Sequence, residues 1–268
     1  MQFDQARIAI CERSWLDNLD LALHVVRVHA AAVATAALVG ILPWALVNHL
    51  LLDLRASRYS NDFGVDSIFW LLLMVMIETP LATAPLTLYL GQALFLERPR
   101  PALIAREVWA SLPQLFVFQG IVRALLIVPV LTSFVPYVLW PYLNELILLE
   151  RNPLAGGRDQ VSTWKRNRTL HRDNGGDFLV RTLGTMCLAP LLIVALSLAL
   201  NFLIEMFLGI ELGWRGDAIA FQGVVWLVTV YFTVDRFLSY LDQRIRNEGW
   251  EVELFLRAQR DLLARHVG

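Results

Sequence analysis

Runs of apolar residues between Ala30 and Val234 limit this chain most, because each is about as long as the hydrocarbon layer of a bilayer is thick. Roughly 20 helical residues at about 1.5 Å rise cross that layer. Residues 30–52, 67–95, 178–208 and 218–234 meet or approach this length, and Pro80 and Pro85 must kink the second run. Residues 112–149 form an apolar stretch of 38, interrupted by Pro129, Pro136 and Pro141. That is too long for one span and just long enough for two, 112–131 and 132–149, joined by a tight turn near Thr132 to Pro136. Composition agrees: 57% of the residues are hydrophobic and the mean hydropathy is +0.53, whereas soluble domains use about 45–50% apolar residues even with glycine counted. The expected fold is all-α, a polytopic integral membrane bundle of about six transmembrane helices.

Charge decides how the 38-residue stretch crosses. The chain has 23 Lys and Arg residues. With two crossings, Arg7, Arg13, Arg27, Arg98, Arg100 and Arg106 lie on one side, together with seven cations from Arg151 to Arg181 and six from Arg236 to Arg265. Nineteen then share a side, three (Arg55, Arg58 and Arg215) lie on the other, and Arg123 falls within an apolar run. A single crossing flips everything downstream and leaves seven against fifteen. The positive-inside rule selects the first arrangement, with both termini cytoplasmic. A re-entrant hairpin that enters and leaves from the cytoplasm keeps the same parity and stays open. The chain then divides into an interfacial segment 1–29, a bundle 30–240 with a basic cytoplasmic loop 150–177, and a cytoplasmic tail 241–268.

The segments beside the spans carry their own patterns. Ser14 followed by Asp17 reads as a helix start. Trp15, Leu19, Leu23 and Val26 recur at helical spacing, which predicts an amphipathic helix lying in the interface or packed on the protein's own underside. The loop's Arg151, Arg158, Lys165, Arg166, Arg168 and Arg172, with Arg244 and Arg246 after the last span, are expected to contact anionic lipid headgroups or a protein partner. Trp164 is the loop's only aromatic residue before Phe178, so no base-stacking platform for nucleic acid is visible. The tail from Tyr240 continues or follows the last span as a cytoplasmic helix. No secretory signal precedes the first long run, and Cys11 and Cys187 read as free thiols.

Ionisable groups at membrane depth are candidate functional residues, because each costs roughly 2.5–3.5 kcal/mol to place there. Glu78, Arg123 and Glu205 are the deepest. Pro80 and Pro85 free backbone carbonyls that can line a polar cavity. Two uses of these residues stay open: a transport site around Glu78 and Arg123, or a Glu78–Arg123 pair that locks two spans together. Asn144, Glu145, Asp235 and Arg236 read as interfacial or helix-pairing residues. No nucleophile elbow, HExxH, phosphate loop or metal-ligand spacing is present in the sequence, so no enzyme activity, cofactor or metal is expected.

Three of these segments together resemble the bacterial multi-pass family related to the membrane domain of glycerophosphoryl diester phosphodiesterases. They are Ser14 to Arg27, Glu150 with Arg166-Asn167-Arg168 and Gly176 to Gly184, and Tyr240 to Arg246 with Glu248-Gly249. The resemblance implies the architecture alone, because hydrolysis in those enzymes belongs to a separate soluble barrel of about 250 residues. Function is expected to be non-enzymatic, with the protein a scaffold or assembly subunit of a membrane complex docking a partner through its tail and its basic loop. The alternative is a small transporter or channel.

Overall fold

The computed structural model describes residues 14–56, 63–96, 99–129, 132, 135–151, 162–171, 175–209 and 212–248. Its regular structure is helical, and among the described residues there are no strands. The helices are α1 (Trp15–Val28), α2 (Ala30–Ala56), α3 (Val65–Ala82), α4 (Ala84–Phe95), α5 (Pro101–Leu115), α6 (Arg123–Ile127), α7 (Val135–Leu139), α8 (Leu143–Glu145), α9 (Thr163–His171), α10 (Gly175–Leu208) and α11 (Trp214–Glu248). π-Helical turns Phe116–Val122 and Leu146–Glu150 join α5 to α6 and follow α8. Five rods among the described residues are long and apolar enough to cross a membrane: Ala30–Ala56, Val65–Leu94, Pro101–Ile127, Leu179–Phe207 and Trp214–Arg246.

The segment expected to form a sixth span, 132–149, is not one continuous helix. Its described residues form α7, a turn at Trp140–Tyr142, α8 and a π-helical turn. Pro136 and Pro141 lack the N–H that a continuous helix needs, and the ring of Pro141 disfavours helical backbone at Trp140. The path of residues 101–150 is nevertheless out and back. The Arg100 N–H donates to Gln92 Oε1 at 2.9 Å, and Arg123 Nε donates to the Met76 carbonyl at 3.2 Å, so this rod runs antiparallel along α4 and the end of α3. On the return, Asn144 Nδ2 donates to the Pro80 carbonyl at 3.2 Å and Leu149 lies against Gly91. Residues 101–150 thus leave and regain the same end of the bundle.

Cations sort by end as well. Arg166, Arg181, Arg244 and Arg246 form their ion pairs at the end where α4 finishes. At the opposite end Arg55 pairs with Asp66, and Arg215 Nε reaches Asp53 Oδ1 at 3.2 Å. The core between them is apolar, with Leu71, Val75, Leu86, Val225 and Phe237 almost wholly buried. At Gly40 the backbone of α2 sits on the Ala82 carbonyl, where the α3–α4 rod breaks and any side chain would collide.

α1 starts on a reciprocal capping box: the Asp17 N–H donates to Ser14 Oγ at 3.3 Å and the Ser14 N–H donates to Asp17 Oδ2 at 3.1 Å. It crosses α11 with Asn18, Leu19 and Ala22 buried, and Tyr231 Oη donates to the Leu19 carbonyl at 3.0 Å. Gly184 lets the Trp15 ring lie against α10. The other face of α1 exposes Leu16 and Leu23. α11 continues unbroken through Glu248, so Tyr240 to Arg246 is the last part of the span helix itself, and residues 249–268 lie outside the described residues.

Candidate functional site

Two polar assemblies occupy the basic half of the bundle. The first is a knot of ion pairs around Glu150, at the end of the second π-helical turn. Glu150 accepts from Arg166 Nε at 2.8 Å and Nη2 at 3.1 Å, and from Tyr240 Oη at 2.8 Å, with Arg244 Nε 3.7 Å away. Burial pushes this carboxyl up, but the hydrogen bonds from Arg166 and Tyr240 and the charges of Arg166 and Arg244 outweigh it. The group is held below its usual value of 4.5. Beside it, Arg181 Nη2 donates to Asp242 Oδ2 at 2.6 Å, and Arg246 approaches the same oxygen at 3.3 Å. Asn167 Nδ2 donates to the Leu139 carbonyl at 3.0 Å, so α9 is pinned between the returning segment and α11.

The second assembly is a cavity of about 260 Å³ among α3, α6, α7, α10 and α11. Its wall is apolar where Leu72, Val75, Ile193, Val225 and Val228 face it. Arg123, Arg181, Asp235 and Arg236 supply charge on the same lining. α10 packs along α11 by one face only, and from Thr182 to Phe207 none of its described side chains is fully buried. A helix that is apolar all round and so little covered is suited to lipid.

Arg123 reaches this cavity through two features of local backbone. Pro80 has no N–H to bond the Met76 carbonyl four residues back, and that freed carbonyl takes the Arg123 Nε–H. The π-helical turn before Arg123 places Gln119 one turn away, and Arg123 Nη1 donates to Gln119 Oε1 at 3.2 Å. The guanidinium also lies over the Tyr137 ring, 4.4 Å from its centroid. Arg123 is 4% exposed, all of these partners are neutral, and its Nη2 has no hydrogen-bond partner. Arg236 donates from Nε to Glu145 Oε1 at 2.7 Å and leaves its buried Nη2 without one. Asp235, 4% exposed, likewise has an unpartnered Oδ1.

The expected Glu78–Arg123 pair does not form. Glu78 is buried on the α2 side, where Asn48 Nδ2 donates to its Oε2 at 2.8 Å. Glu78 and Met76 are two residues apart on one helix, about 200° of rotation, so Arg123 at the Met76 carbonyl meets the other face of α3. Glu205 is exposed near the end of α10, away from both assemblies. In the loop, Arg151 pairs with Glu107, Lys165 and Arg168 are exposed on α9, and Arg158 and Arg172 lie outside the described residues. Asn144, Glu145, Asp235 and Arg236 are drawn inward, with Asn144, Glu145 and Asp235 nearly inaccessible; helix pairing describes Asn144 at the Pro80 carbonyl and Arg236 with Glu145, and snorkelling to the interface does not. Asp235 and Arg236 are the cavity residues that sequence reading placed elsewhere. The available signal was an adjacent acid and base still inside an apolar helix, two turns before the polar end.

Among the described residues no group of His, Cys, Asp and Glu could hold a metal ion, Cys187 is a free exposed thiol, and Cys11 lies outside them. No protein family, curated protein or solved structure matches this chain.

Proposed function

We propose that the protein is an integral membrane protein that takes an amphiphilic molecule out of the bilayer into the cavity between α10 and the rest of the bundle, as a binding protein or small transporter. The observation that carries this reading is the cavity itself: an apolar wall at membrane depth joined to a polar lining, beside α10, which packs on α11 and leaves its other face open. A cavity of about 260 Å³ is just below the roughly 300–1,000 Å³ of small-molecule sites. It suits a headgroup and the first part of a chain, with the remainder in lipid. The basic end faces the cytoplasm on this reading, as the positive-inside rule requires, and both termini lie there in a bacterial inner membrane.

A scaffold acting through the loop and tail has less support. Arg166 and Arg244 are engaged by Glu150, and Arg246 by Asp242. Glu150, Arg166, Arg181, Tyr240, Asp242 and Arg244, which come from separate segments of the chain, meet in one knot.

The test is native mass spectrometry of the detergent-purified protein after exposure to mixed bilayer lipids. Ala189 lines the cavity, so Ala189→Trp should fill it and abolish retained amphiphile. Ala195→Trp, on the exposed side of α10, should not. Equal retention by both variants would overturn the reading.

A further inference from the structure

Resting on the proposed amphiphile cavity, we infer that its ligand is a lipid whose phosphate headgroup seats on Arg123 and Arg236, with a hydroxyl or amine of the same headgroup donating to Asp235. Arg123 requires a counter-charge. A guanidinium at this depth is costly, and a buried charge without an opposite one is among the most destabilising arrangements a protein can hold. Among the described residues, the hydrogen-bond and stacking partners of Arg123 are neutral: the Met76 carbonyl, Gln119 and the Tyr137 ring. Its Nη2 is buried, lacks a partner and belongs to a side chain on the cavity lining.

Arg236 repeats the arrangement on the facing helix, with Nε spent on Glu145 and Nη2 unpartnered on the same lining. Two unfilled guanidinium donors on one cavity select an oxyanion, and guanidinium forks suit phosphate best. Asp235 then sets the second requirement. Its carboxylate lines the same cavity with an unpartnered oxygen and would repel a bare anion, whereas a headgroup with a hydroxyl or ammonium beside its phosphate satisfies it. Arg181, also on the lining, is paired with Asp242 and places a further positive charge beside Asp235. The apolar wall of Leu72, Val75, Ile193, Val225 and Val228 takes the proximal acyl carbons. A free phosphate ion would leave that wall uncovered.

The experiment titrates the full chain in detergent with phosphatidylglycerol, phosphatidylmethanol and diacylglycerol of identical acyl chains, read by native mass spectrometry. Inorganic phosphate in large excess is the competitor. The expected order is phosphatidylglycerol over phosphatidylmethanol, which has the same charge but no headgroup donor, with diacylglycerol weakest. Arg123→Met should weaken phosphatidylglycerol about tenfold or more, the equivalent of roughly 1.4 kcal/mol, and leave diacylglycerol unchanged. Arg123→Lys, which keeps the charge and tolerates folding better, should lose less.

Equal binding of phosphatidylglycerol and diacylglycerol, blocked alike by Ala189→Trp, would overturn the phosphate assignment and leave the amphiphile cavity standing. Equal binding of the two phosphate lipids would overturn the role of Asp235. Displacement by inorganic phosphate would show that the arginines take the free ion and would overturn the lipid assignment. Failure of every lipid to bind would remove the cavity reading beneath it.

Discussion

Removing Arg236 while leaving Glu145 gives a perturbation whose size the geometry sets. Arg236 Nε donates to Glu145 Oε1 at 2.7 Å, and the Glu145 side chain is 0% exposed against 21% for Arg236. Breaking a buried pair from one side costs roughly 3–5 kcal/mol, because the remaining charge stays buried and uncompensated. Arg236→Met belongs at the lower end, about 3 kcal/mol, because Glu145 Oε2 already lacks a partner and Arg236 reaches partly to the surface. That is a factor of roughly 150 in the unfolding equilibrium. Replacing both residues, Glu145→Leu with Arg236→Met, removes the stranded charge and should fall within about 1 kcal/mol of the parent protein. The double-mutant cycle, read by reversible unfolding in mixed micelles without added lipid, should therefore give a coupling of at least about 2 kcal/mol. A parent-like Arg236→Met, or a double variant as destabilised as the two singles added together, would refute the pairing argument.

Other substitutions probe the remaining contacts. Glu150 is held below its usual 4.5, and a carboxyl depressed on folding stabilises above its unfolded value and loses that contribution as pH falls through the folded one. Docking of α9, followed by amide hydrogen exchange, should thus be unchanged from neutral pH to about 5 and weaken only below 4.5; weakening between pH 7 and 6 would contradict the assignment. Gly40→Leu drives a side chain into the Ala82 carbonyl, a backbone atom that cannot rotate away. It should destabilise by about 1–3 kcal/mol or more in the same unfolding assay, and a neutral result would mean that α2 does not approach the α3–α4 break. Ser14→Ala removes one half of the capping box and should cost about 1 kcal/mol, confined to α1. Faster exchange in the first turn, with no change in α10 or α11, is the expected signature.

The rods were legible because apolar run length reports them directly. Residues 30–52, 178–208 and 218–234 fall within helices that extend further at one or both ends. Pro80 was legible in kind: a proline in an apolar helix must free a carbonyl, and Met76 supplies it to Arg123. What could not be read was direction around each helix axis. Glu78 and Arg123 looked like a pair because both are charges at similar depth, yet Glu78 faces Asn48 on α2. A π-helical turn precedes Arg123, and periodicity at 3.6 residues cannot announce a turn of a different pitch. Segment 132–149 departs from one continuous helix for a related reason: hydropathy counts Val135 to Leu149 as apolar whether or not Pro136 and Pro141 let it stay helical. The exposure of α10 has no signature in its own residues, because a helix that is apolar throughout fits lipid and a protein interior equally well.

An experimental density map of the protein in nanodiscs containing phosphatidylglycerol tests the central claim most directly. The account predicts elongated density between α10 and α3, with its headgroup at Arg123 and Arg236 and its chain along Val225 and Ile193. A map in which α10 closes against α3 and leaves Arg123 bonded only to protein would contradict it.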